Sequence, residues 1–114
     1  MIFDEKKNGH VAIINLKGKM AGICEAEELH DEVKSLLKNN TNHIVLNMQN
    51  VSWIGSLCIG ALMREIISAR QKNGDVYLAS PSQKVQRLFQ ITKLDGVVSI
   101  YPTVEEAVAA FHNN

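Results

Sequence analysis

The chain has 114 residues, 46% hydrophobic and 21% charged, which suits one folded domain over its whole length and excludes intrinsic disorder. Twelve Lys and Arg balance twelve Asp and Glu, and aromatic residues make up only 5%. Neither nucleic acid nor an anionic membrane is therefore an expected partner, and a base-stacking surface is excluded.

No apolar run is long enough for a bilayer span, and the first residues lack the charge and apolar pattern of a signal peptide. The two cysteines, Cys24 and Cys58, lie far apart with no C-x-x-C partner, so a reducing cytoplasm is the expected location. Val11 to Leu16 reads as a strand closed by Gly18. Asn8-Gly9 before it is a hairpin signal that pairs it with a short strand over Ile2 to Lys6. From Cys24 to Asn39 the period becomes helical: Leu29, Val33, Leu36 and Leu37 share a face, and acidic residues fill the first half, where the helix dipole favours them.

His43 to Met48 suits a central strand. A second helix beginning at Ser56 carries Ile59, Leu62, Met63, Ile66 and Ile67 at the spacing of a buried stripe, and ends at Lys72-Asn73-Gly74. Val76 to Ala79 is a further strand. Ser80-Pro81-Ser82-Gln83 has the pattern of an N-cap at Ser80 followed by proline at the first helical position, opening a third helix with Val85, Leu88, Phe89 and Leu94 inward. Val97 to Tyr101 reads as an edge strand, and Thr103-Val104-Glu105-Glu106 as a capping box for a last helix reaching Phe111. The fold class is α/β: one domain with a mixed, largely parallel sheet of about five strands and about four helices.

Few motifs carry chemistry. Gly55 to Gly60 has the glycine spacing of a P-loop, but Ala61-Leu62 stand where Lys and Ser/Thr must hold phosphate and Mg²⁺, so nucleotide hydrolysis is excluded. His10, His30, His43 and His112 lack metal-ligand spacing, and neither a metal nor another cofactor is expected. Cys24 and Cys58 read as packing residues; the alternative is an enzyme using Cys58 near a helix N-terminus, where the dipole lowers a thiol pKa. Ser56, after a strand and a turn containing Trp53 and Gly55, reads either as a plain N-cap or as an exposed hydroxyl whose phosphate the helix N–H groups would stabilise.

The stretch from His43 through Val51-Ser52-Trp53-Ile54-Gly55-Ser56-Leu57-Cys58 to Met63 resembles the centre of STAS domains, in particular bacterial anti-sigma factor antagonists. Asn73 to Phe89, Ile91 to Val98 and Tyr101 to Ala107 are similar to the family's later segments, in the same order. The resemblance implies a STAS-like domain over residues 1–114 whose phosphoacceptor is Ser56. It differs from the family at Gly55, in place of an aspartate, at Leu57, in place of a second hydroxyl residue, and at Cys58, in place of glycine. Gly18-Lys19-Met20-Ala21 likewise lacks the family's loop aspartate, so the surroundings of Ser56 are expected to be short of acid.

By that resemblance the protein is not an enzyme. It binds an anti-sigma factor that is itself a serine kinase, is switched by phosphorylation, and has a phosphatase as a further partner. The alternative is a phosphorylation-independent subunit of a larger signalling or transporter assembly. The expected partner surface comprises Lys19, Met20, Ala21 and Gly22, then Gly55, Leu57 and Cys58 beside Ser56, and the Ser80-Pro81-Ser82 turn, with Met20 and Leu57 exposed as apolar contacts. Loops at one end of a parallel sheet gather such segments.

Overall fold

The computed structural model describes residues 2–8 and 10–113. Its elements are β1 (Ile2–Asn8), β2 (Val11–Met20), α1 (Ile23–Lys38), β3 (His43–Ile54), α2 (Ser56–Gln71), β4 (Asp75–Ala79), α3 (Gln83–Ile91), a 3₁₀ turn (Leu94–Gly96), β5 (Ile100–Tyr101) and α4 (Val104–His112). The strands lie in chain order, β1 antiparallel to β2 and the other neighbours parallel. This is the expected mixed α/β sheet with four α-helices. Of the hairpin turn read at Asn8-Gly9, Gly9 lies outside the described residues.

Consecutive parallel strands joined by right-handed crossovers place their helices on one face of the sheet. Accordingly α1, α2 and α3 cover the face formed by Ala12, Ile14, Ile44, Leu46, Met48, Val76 and Leu78, whereas α4 covers Val11, Val45, Tyr77 and Ala79. Helices cover both faces of β3 at Ile44, Val45 and Leu46, which is why His43 to Met48 reads as a nearly continuous apolar run. Under α4 the Phe111 ring stacks on Tyr77 at 3.8 Å and on His43 at 4.7 Å.

Several boundaries differ from the sequence reading. The second helix buries Cys58, Ala61, Leu62, Glu65, Ile66 and Ala69. Ile59 and Met63 are half-buried, and Ile67 is 52% exposed. The inward stripe is thus rotated from the expected one, because α2 must meet α1 as well as the sheet. The Glu65 carboxylate lies in that seam, 1% exposed, with one oxygen 2.9 Å from His30 Nδ1 and the other 3.6 Å from Arg64 Nε. A buried charge needs such partners.

The cap of α3 is Ser82, whose hydroxyl accepts from Val85 N–H at 3.2 Å, not Ser80. Ser80 remains tied to the sheet: its N–H donates to Tyr101 O at 3.0 Å and its hydroxyl to Pro102 O at 3.1 Å. Ser80 also adopts φ +57, outside the extended region that an N-cap residue occupies. The last strand is only Ile100–Tyr101, since Leu94–Gly96 form a 3₁₀ turn that buries Leu94 and leaves Val97 exposed. Thr103 caps α4 as expected, accepting from Glu106 N–H at 3.1 Å.

Candidate functional site

The strands β2 and β3 run further than their sequence patterns suggest, to Met20 and Ile54. Register shifts between Asn15 and Lys17 and between Gly18 and Lys19 let them stay paired to the end, with Met20 opposite Ile54. Gly18 adopts φ +84 there, a backbone state open to glycine at little cost. Within β3 only His43–Asn47 pair with β4, so the remainder of β3 projects past it with β2 alongside. Ser56 stands at the tip of this arm.

Two helices start at the tip. Gly22 is the N-cap of α1 and Gly55 the N-cap of α2, both with extended backbone. Gly55 N–H donates to Met20 O at 2.8 Å, tying the two starts together. Ser56 is therefore the first residue of α2 and not its cap, so its exposed hydroxyl is free of a capping role. Leu57 beside it is 52% exposed. Free N–H groups of the first helical turn give the tip a positive end that accommodates an anion.

The expected partner surface is gathered in part. Lys19, Ser56 and Leu57 are exposed there, with Ala21, Gly22 and Gly55 half-buried between them. Met20, expected to be exposed, is fully buried in the core, as is Cys58. Both shape the tip from below, because the strand's two-residue alternation turns Met20 inward and the first turn of α2 brings Cys58 against Gly22. Ser80 turns elsewhere: with Ile13, Asn47, Thr103 and Glu105 it lines a cleft of about 470 Å³ beside α4. Pro81 is half-buried and Ser82 is committed to its cap. The start of α3 reaches the arm through Lys84, whose Nζ sits 5.1 Å over the Trp53 ring.

The tip also holds a carboxylate that the sequence reading missed. Glu25 accepts from Gly22 N–H at 2.8 Å, and that backbone bond holds its carboxyl below the usual range. The signal was present as the spacing Gly22-x-x-Glu25, half of a capping box. Cys58 Sγ lies 3.8 Å from Gly22 O. Burial, and then the charge of Glu25, push its thiol above the ordinary value. This is opposite to the lowered thiol pKa that a cysteine nucleophile at a helix start requires. Among the described residues no group of three His, Cys, Asp or Glu side chains is placed to hold a metal ion, and no helix is long and apolar enough to cross a membrane.

A mixed sheet in strand order, covered by three helices on one face and one on the other, with a hydroxyl at the start of α2, defines the class. Residues 3–107 match the STAS domain family, and the chain belongs to it. It is 35% identical over 72 residues to a Thermotoga maritima protein, a match covering 63% of this chain and 64% of that relative's length. The structure of that organism's TM1081 superposes with a TM-score of 0.85 at 30% identity, covering 95% of this chain and 92% of that one. The anti-sigma-B factor antagonist of Staphylococcus aureus is 26% identical over 73 residues, 64% of this chain and 68% of its own. The anti-sigma factor antagonist SpoIIAA in its unphosphorylated form shares the fold, with a TM-score of 0.84 at 20% identity over 99% of this chain and 98% of that one.

Proposed function

We propose that this protein is a cytoplasmic anti-sigma factor antagonist that acts by binding, with no catalysis of its own. The unmodified chain binds an anti-sigma factor that is a serine kinase and so frees a sigma factor. That kinase phosphorylates Ser56, which ends the binding, and a phosphatase restores the hydroxyl. The observation that carries this reading is the Ser56 hydroxyl itself: exposed on the first residue of α2, without a capping role, and next to the exposed Leu57.

Phosphoserine adds about −1.5 to −2 charges at neutral pH. The helix start tolerates them, so the fold survives, but a partner surface fitted to a neutral hydroxyl must desolvate or repel them. A penalty of about 3–4 kcal/mol weakens binding several-hundred-fold, enough to switch a micromolar complex. Lys19, Ala21, Gly22, Gly55 and Leu57 form the remainder of the contact surface.

The test is incubation with the cognate kinase and ATP, followed by intact-mass measurement and site mapping. One added phosphate on the wild type and none on Ser56→Ala supports the switch. Ser56→Asp is expected to fold normally and bind poorly. The half-buried Gly55 and Ala21, which leave the tip without the family's two aspartates, favour a second reading, a phosphorylation-independent STAS subunit of a larger assembly. No mass gain, together with undiminished binding by Ser56→Asp, selects it.

A further inference from the structure

Among the described residues the two most exposed large apolar side chains are Ile91, at 70%, and Ile23, at 64%. Each ends a charged strip. On α1, Ile23, Glu27 and Asp31 are all exposed and follow at four-residue steps, which keeps them within about 80° of the helix circumference and along about 12 Å of its axis. On α3, Lys84, Arg87 and Ile91 are all exposed and lie within about 60° and along about 10.5 Å. No acidic residue occurs between Val76 and Leu94, so the second strip is purely cationic. Within one chain α1 packs on α2 and α3 on β3, and both strips face outward.

We propose that these strips bind each other between two copies of this chain, α1 of one copy lying antiparallel against α3 of the other. Ile23 then meets Ile91, Glu27 meets Arg87, and Asp31 meets Lys84. The spacings agree to within about 1.5 Å over the whole strip. A parallel arrangement sets Ile23 against Lys84 and Asp31 against Ile91, covering each charge with apolar surface, which is unfavourable. The Trp53 ring under Lys84 holds that cation in place in advance of the contact. The chain's zero net charge removes any overall repulsion between copies. Exposed ion pairs contribute little each and are screened by salt, so the association is weak and salt-sensitive, with the two isoleucines as its apolar end. A two-fold axis would use the same contact twice; without one the copies extend head to tail.

The experiment is sedimentation equilibrium of the full chain at about 50 mM and about 500 mM salt. At low salt the mass is expected to rise with concentration above the 12.7 kDa of one chain, and the dissociation constant to increase about tenfold or more at high salt. The double variants Lys84→Glu/Arg87→Glu and Glu27→Lys/Asp31→Lys should each remain monomeric with little change in melting temperature, and associate when mixed, since the reversed strips then complement each other. Should either double variant fail to fold, Arg87→Glu and Glu27→Lys are mixed in the same way. A wild-type chain that stays monomeric at low salt at every concentration overturns the proposal. So does wild-type association that both reversed variants retain alone, or that their mixture does not recover.

Discussion

A side-chain carbon placed on Gly55 would stand 3.1 Å from Ala21 Cβ and 3.3 Å from Ala21 Cα. The ends of β2 and β3 therefore approach as closely as they do because both positions carry so little. Gly55→Asp introduces two opposed effects: an N-cap carboxylate contributes only about a few tenths of a kcal/mol more than the glycine it replaces, while Ala21 has to move by a few tenths of an ångström. Urea melts are expected to show a net change under about 1 kcal/mol, with the variant regaining stability when Ala21 is also changed to Gly. If the family carboxylate assists the kinase, phosphorylation of Ser56 speeds up in the same variant.

Met20 and Leu57 separate packing from contact. Met20 has no exposure, so Met20→Asp buries an unpaired charge and is expected to cost several kcal/mol, on the order of 3 or more, read as a lower denaturation midpoint. Leu57→Asp leaves the fold within about 0.5 kcal/mol and weakens partner binding in a titration. A stable Met20→Asp protein would contradict the inward placement of the end of β2.

On α2 the adjacent Ile66 and Ile67 behave differently. Ile66 is fully buried and Ile67 is 52% exposed. Ile66→Ala is expected to lower stability by about 2–5 kcal/mol and Ile67→Ala by no more than about 0.5 kcal/mol, both measured by chemical denaturation. Equal losses would mean that the helix is rotated from its observed setting.

Glu25 links the tip to pH. Its carboxyl is held below the ordinary value by the Gly22 N–H bond, so the folded state prefers the ionised form. The stability this confers is present above the unfolded-state value of 4.5 and is lost as pH falls through the lower folded value. Glu25→Gln should be less stable than wild type at pH 7, and the gap should narrow as pH falls below about 4.5. A gap independent of pH in denaturant melts would detach Glu25 from Gly22.

The element order, the mixed α/β sheet and Ser56 at the start of a helix are legible in the chain's local patterns, because periodicity, caps and breakers act over a few residues. The Thr103 cap and the four α1 leucine and valine positions belong to this local class. Long-range contact decided the rest. The α2 stripe turned from Ile67 toward Ala61 and Glu65 because α1 occupies one side. Met20 and Cys58 went inward because β2 follows β3 to its end. Ser80 lost the cap to Ser82 because β5 holds its N–H. The carboxylate at the tip comes from Glu25 on α1, not from either position where the family carries an aspartate. Burial of a side chain depends on which element lies over it, and that is a property of the packed molecule, not of the neighbouring residues in sequence.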